Sequence, residues 1–137
     1  MWLNRNQKER LQDTGNIENN RAQVLIVDDE PDICFLLSEL LKQKNLVPVV
    51  AYNLNDAERA LEKSHPQYLF LDNWLPDGFG LDFIGFIKRN FPATKIIMMT
   101  AHDSIADRKR AFSEGADFFI SKPLTKQLIS EALSSVA

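Results

Sequence analysis

Asp28, Asp29 and Glu30 follow directly on the apolar run Val24-Leu25-Ile26-Val27, and Asp72 ends a second run, Tyr68-Leu69-Phe70-Leu71. Thr100 ends a third, Ile96-Ile97-Met98-Met99, while a fourth, Phe118-Phe119-Ile120, leads through Ser121 to Lys122-Pro123. Brought together, Asp28, Asp29 and Asp72 would repel one another unless a cation lay among them. Hard carboxylate oxygens, with no His or Cys nearby in a ligand spacing, suit Mg²⁺, which keeps several waters and bridges to phosphate oxygens. Lys122 adds a mobile point charge for a carboxylate or phosphate oxygen, and Thr100 a hydroxyl that can donate to another. A carboxylate nucleophile, a metal, a lysine and a hydroxyl are the parts needed to hold a transferring phosphoryl group.

That chemistry requires a scaffold that delivers all four groups to one rim. The four runs, with Val47-Pro48-Val49-Val50 as a fifth, lack the period-2 alternation of a half-exposed strand and read as strands covered on both faces, as in a parallel sheet. Between them lie amphipathic segments. Ile33, Leu36, Leu37, Leu40 and Leu41 make one stripe at i, i+3, i+4, i+7 and i+8, and further helices are predicted over 54–64, 80–90, 104–114 and 125–136. Asn45, Ser64-His65-Pro66, Asn90-Phe91-Pro92 and Gly115 supply the stops.

Five β units, each followed by a helix, predict a doubly wound α/β domain with a five-stranded parallel sheet. Pro48 cannot donate to a ladder, so its strand belongs at an edge, where the flavodoxin-like order 2-1-3-4-5 puts it. Ligands of such sheets bind outside the carboxyl ends of the strands. The edge strand ends in Ala51-Tyr52 without a charge, whereas all four others end in a polar group. Asp72, at the end of a central strand, is therefore the best candidate for the nucleophile.

Each feature taken singly has a plainer reading. Asp28 or Asp29 could cap the helix that starts near Pro31, a normal first helical residue. Thr100 could cap the following helix, Lys122 could be a surface lysine, and Phe119 is core in either reading. Asp77-Gly78 and Gly80 are turn chemistry. His65 reads as a loop residue, His102 as a loop or helix-start residue, Arg108-Lys109-Arg110 as a solvated face or part of an output surface, and Cys34 as packing.

Taken together, the elements resemble the response-regulator receiver domains. The acidic pair Asp28-Asp29 is joined by Asp72-Asn73-Trp74-Leu75-Pro76-Asp77-Gly78-Phe79-Gly80, which is similar to the family's D-x-x-x-P-x-x-x-G segment. Met99-Thr100-Ala101 matches its Thr/Ser-Ala element, and Gly115-Ala116-Asp117 with Phe119-Ile120-Ser121-Lys122-Pro123 its G-A-D…K-P ending. The resemblance covers residues 22–137 and implies that Asp72 accepts a phosphoryl group from a phosphohistidine on a sensor histidine kinase or a histidine phosphotransfer protein. It implies Mg²⁺ held by Asp29, Asp72 and the backbone carbonyl of Trp74, with Asp28 acting directly or through water. Thr100 and Lys122 would hold the phosphoryl oxygens, and the Lys122-Pro123 bond would be cis. Phe119 would be the aromatic switch that turns inward when Thr100 is drawn to the phosphate. The output would be a population shift of the face made by the fourth helix, fifth strand and fifth helix, with a phosphorylation-linked homodimer as one consequence. Trp74 and His102 depart from common choices at positions that govern how water reaches the acyl phosphate. Slower self-dephosphorylation is expected than in relatives with Asn and Glu there.

Composition sets the frame for these readings. The 137 residues suffice for one domain with a real core, and 45% hydrophobic with 26% charged residues is ordinary globular composition. Residues 1–21, polar and mixed in charge, read as a leader or linker with a partial helix over 4–13. The net charge of −3 gives no basic excess for direct nucleic-acid binding. A single cysteine excludes an internal disulfide and fits the cytoplasm, and with no signal-peptide or spanning run a soluble cytoplasmic domain without a membrane partner is expected. The expected class is a phosphoacceptor signalling domain that assists its own phosphorylation and dephosphorylation, rather than an enzyme. The alternatives are a pseudo-receiver that acts only as an interaction module, and a metal-dependent phosphatase on a similar sheet. The intact acidic set and lysine argue against the first, and the short loops against the second.

Overall fold

A computed structural model describes residues 21–137, so the expected leader, apart from Arg21, lies outside the described residues. The chain runs β1 (Gln23–Val27), α1 (Pro31–Gln43), β2 (Val47–Ala51), α2 (Leu54–Ser64), β3 (Tyr68–Asp72), β4 (Trp74–Leu75), β5 (Gly78–Phe79), α3 (Gly80–Asn90), β6 (Lys95–Thr100), α4 (Ile105–Glu114), β7 (Phe118–Ser121) and α5 (Lys126–Val136). Five strands form a parallel sheet in the order β2-β1-β3-β6-β7. This is the predicted 2-1-3-4-5 order, renumbered because β4 and β5 form a two-stranded antiparallel hairpin that sequence patterning did not indicate. Pro48 pairs opposite Val24 on the edge strand, where its missing N–H leaves no inner ladder unsatisfied.

The continuous apolar runs are explained by how each strand divides its side chains. Leu25, Val27, Leu69, Leu71, Ile96, Met98 and Phe119 point to one face, where α2, α3 and α4 contribute Ala57, Leu61, Leu81, Ile84, Ile87 and Ala111. Val24, Ile26, Phe70, Ile97, Met99 and Ile120 point to the other, packed by Cys34, Leu37 and Leu41 of α1 and by Ile129, Ala132 and Val136 of α5. A strand buried on both faces has no polar side to alternate with. The α4 helix is the least embedded, with Ala111 its one fully buried residue.

The helix starts are set by capping side chains. Asn53, Ser104 and Thr125 accept the backbone N–H of Asp56, Asp107 and Leu128 at 2.7, 3.0 and 3.1 Å. Ser104 and Thr125, read from sequence as the first helical residues, are thus the caps. The left-handed Gly115 (φ 119°) ends α4. Among the described residues no helix is long and apolar enough to cross a membrane.

One glycine connects this scaffold to the acidic rim. A Cβ on Gly80, the first residue of α3, would lie 2.2 Å from the backbone carbonyl oxygen of Asp72 and 3.0 Å from Leu71 Cγ. An alanine in a helix ordinarily stabilises. Here Gly80→Ala is expected to cost more than about 2 kcal/mol in urea unfolding, because the backbone beneath Asp72 must shift. A cost below about 0.5 kcal/mol would contradict this account of the contact.

Candidate functional site

Four strand ends converge on the carboxyl edge of the sheet. Asp28 stands one residue beyond β1, held there by its N–H to the carbonyl of Ala51 at 3.1 Å, and is fully buried. Asp72 closes β3 and is 4% exposed. Thr100 closes β6, and the N–H of Lys122 donates to its carbonyl at 2.7 Å, which ties the ends of β6 and β7 together. Asp29 is exposed at the mouth. The Lys122-Pro123 peptide is cis.

Asp28, Asp29 and Asp72 each present a carboxylate oxygen within 4.8 Å of the others. Lys122 joins the same cluster. Its Nζ lies 2.8 Å from Asp28 Oδ2, 3.5 Å from Asp72 Oδ1 and 3.4 Å from Glu30 Oε1. Burial works against the Lys122 ammonium, but the hydrogen bond to Asp28 and the charges of Asp72, Asp28 and Glu30 outweigh it and hold its pKa above the ordinary lysine value. Asp72 is pushed the other way for a carboxylate. Burial, and then the neighbouring Asp28 charge, raise it to about 6, although Lys122 and the N–H of Asn73 at 2.9 Å favour the ionised form. One ammonium faces four carboxylates here, those of Asp28, Asp29, Glu30 and Asp72. The donor set, all hard oxygens with no imidazole or thiolate, fits Mg²⁺ and leaves room for the waters that this ion retains.

Asp29, Glu30, Asp72, Trp74, Ala101, His102 and Lys122 line a cleft of about 250 Å³ at this point. Trp74, on β4, is 54% exposed and forms one wall, its ring 5.3 Å from Phe79 edge-on and 5.2 Å from His102. The buried Thr100 hydroxyl accepts the N–H of His102 at 3.0 Å and keeps its own proton to donate. Phe119 lies two residues before Ser121, turned inward and 5% exposed. Asp28, Asp29, Asp72, Trp74, His102 and Lys122 thus gather at this rim, with Thr100 at the end of the adjoining strand and Phe119 in the core on β7, whereas His65 lies apart against Phe91.

Some plainer readings find other answers. Neither Asp28 nor Asp29 caps α1; the cap position is Glu30, with no side-chain bond, and Asp28 Oδ1 accepts the Glu30 N–H at 2.9 Å. Thr100 is not a helix cap, since Ser104 fills that role. Cys34 is indeed packing. Its thiol donates to the carbonyl of Asp28 at 3.3 Å, and burial together with the Asp28 charge pushes it up to about 11, so it stays protonated beside the site.

Three contributors escaped the sequence reading. Glu30 reaches Lys122, although three acidic residues in a row give no sign of which one turns inward. Asn73 accepts the N–H of Gly80 on its carbonyl (2.8 Å) and that of Leu81 on its side chain (3.0 Å), anchoring α3 directly behind Asp72. Asp77, at the hairpin turn, accepts the N–H groups of Leu54 and Asn55 at 2.9 Å each, which holds the hairpin against the start of α2. Burial opposes the Asp77 carboxylate slightly, but these N–H donors win and lower its pKa.

Comparisons with known proteins agree with this geometry. The model of the response regulator receiver domain family matches residues 24–134. The response regulator protein PilR of Pseudomonas aeruginosa is 36% identical over 118 residues, which is 83% of this chain and 26% of PilR. The phosphate regulon transcriptional regulatory protein PhoB of Klebsiella pneumoniae is 35% identical over 111 residues, 79% of this chain and 48% of PhoB. The chain thus spans between a quarter and a half of these relatives. Among solved structures, the beryllofluoride-activated NtrC4 receiver domain dimer superposes with a TM-score of 0.76 at 35% identity, covering 84% of this chain and 98% of that one.

The burial of Asp72, with Asp28 beside it, has a measurable consequence for stability. With Asp72 raised from 3.8 to about 6, ionising it is harder in the folded chain than in the unfolded one. The resulting penalty is absent below pH 4, grows between pH 4 and 6 and is complete above pH 6. In the absence of divalent cations, Asp72→Asn is therefore expected to raise the unfolding free energy at pH 8 by about 1–3 kcal/mol, an advantage that fades towards pH 4. Denaturant unfolding at the two pH values checks it; a variant less stable than the wild type at pH 8 would contradict it.

Proposed function

This chain belongs to the response regulator receiver domain family of two-component systems, and we propose that it is a phosphorylation switch whose acceptor is Asp72. The observation that carries the proposal is the grouping of Asp28, Asp29 and Asp72 within 4.8 Å, faced by Lys122. In the transfer, a carboxylate oxygen of Asp72 attacks the phosphorus of a phosphohistidine on a sensor histidine kinase or histidine phosphotransfer protein. The P–N bond breaks as the acyl phosphate forms. Lys122 gives up part of its contact with the carboxylates to pair with a phosphoryl oxygen, and the Thr100 hydroxyl donates to another. Asp28, Asp29, Asp72 and the Trp74 carbonyl are the groups that would hold Mg²⁺, which when bound neutralises the phosphoryl oxygens and the crowded carboxylates.

The rigid backbone supplies the positioning. Asp72 is fixed by its strand, by Asn73 and by the close approach of Gly80, so the nucleophile does not have to be ordered during the reaction. Phe119 follows Thr100, and the face of α4, β7 and α5 carries the change outward; the shallow seating of α4 suits it to that role. The activated NtrC4 receiver is a dimer, which supports a phosphorylation-linked homodimer here. We place the domain in the cytoplasm, with neither nucleic acid nor membrane as its direct partner, and class it as a phosphoacceptor that assists its own phosphorylation and dephosphorylation.

Incubation with acetyl phosphate and Mg²⁺, followed by intact mass, tests the acceptor. A single phosphate should appear only with Mg²⁺ and be lost in Asp72→Asn. A folded wild type that neither gains the phosphate nor binds beryllofluoride would favour an interaction module instead. The Trp74 wall offers bulk and an N–H donor but no acceptor to position a water. Trp74→Asn is expected to shorten the lifetime of the phosphorylated form about threefold or more, roughly 0.7 kcal/mol of barrier. A lifetime of seconds in the wild type, or no change in the variant, would count against the role of the indole.

A further inference from the structure

The loop between β6 and α4 is tied down by a set of contacts outside the phosphoacceptor cleft. The Asp103 carboxylate takes Arg108 Nη2 at 2.5 Å and Nε at 3.4 Å from α4, and the Ser121 hydroxyl at 2.5 Å from β7. The same guanidinium lies over the ring of Phe119, 4.8 Å from its centroid. Two of the basic residues that read as a solvated stretch are thus engaged, since Arg110 pairs with Asp82 of α3 and with Glu114. Asp103 stands three residues after Thr100, Ser121 immediately precedes Lys122, and Phe119 is the buried ring between them.

We infer that Asp103, Arg108 and Ser121 form a latch that holds Phe119 inward and the Thr100–Ser104 loop against β7, so that they act as positioning residues favouring the phosphorylated form. The inference rests on the reading of Asp72 as acceptor and of Phe119 as the ring that turns inward with Thr100. The geometry gives the direction. For Phe119 to swing out, it must leave the guanidinium of Arg108, which the fork on Asp103 holds over the ring while Asp103 is itself held by Ser121. Each contact is partly exposed and weak alone. One guanidinium and one carboxylate shared among the loop, α4 and β7 make them act as a unit, and what biases the ring-inward state must bias phosphoryl binding equally.

The test uses beryllofluoride with Mg²⁺ as the probe, alongside hydrogen exchange of the 100–105 segment in the protein without the probe. Arg108→Ala, Asp103→Asn and Ser121→Ala should each speed exchange in that segment and lower beryllofluoride affinity about three- to tenfold. The Arg108→Ala/Asp103→Asn double variant should be no weaker than the single variants, and Lys109→Ala, on the same helix, should match the wild type. Unchanged exchange in β1 and β3 shows that the fold is intact. Wild-type binding with equal or tighter binding by the latch variants, or additive losses, would overturn the latch alone. A wild type that does not bind beryllofluoride would instead overturn the acceptor reading on which it rests.

Discussion

Three carboxylates and one ammonium share the end of this sheet, and the charges do not balance. Lys122 crosses 94 residues of sequence to reach Asp28, and Glu30 adds a further negative charge at the mouth. Asp28 is fully buried and Asp72 nearly so, where water screens them poorly, and an unneutralised buried carboxylate is costly. A protein maintains such an arrangement only if the scaffold around it is strong enough to force the groups together. Much of the fold can be read as the means of doing so.

The scaffold meets that demand through the parity of its strands. Alternate residues of β1, β3, β6 and β7 feed two separate cores, each sealed by helices, so the strand ends cannot drift without disrupting one of them. Asn73 and Gly80 fasten α3 against the backbone of Asp72, and Asp77 fastens the small hairpin to α2. Rigidity is concentrated on that side of the cleft. On the other side, the β6–α4 loop and α4 rest on exposed ion pairs and a single fully buried alanine. The rigid half holds the chemistry, and the loosely held half is free to respond to it.

The sequence was most informative where one physical rule acts alone. Solid apolar runs identified the doubly covered strands, Pro48 located the edge, and a polar residue at the end of each inner strand located the rim. It was silent where the outcome depends on a partner distant in the chain. Asp77 looks like turn chemistry and is that, yet its carboxylate also accepts the first N–H groups of a helix that begins 23 residues earlier. Arg108 looks like a solvated charge until Asp103, Ser121 and Phe119 are brought to it by the fold. Glu30 could not be distinguished from its acidic neighbours, because which side chain turns towards Lys122 is decided by the entry into α1. The hairpin of β4 and β5 escaped notice because two-residue strands carry no periodicity.

If a divalent cation completes this cluster, calorimetric titration of the metal-free protein with Mg²⁺ at pH 8 will detect it. A single site is expected, with an affinity that falls at least about tenfold, or roughly 1.4 kcal/mol, in Asp29→Asn and in Asp72→Asn. Absence of Mg²⁺ binding at millimolar concentration, or binding unaffected by either substitution, would contradict it.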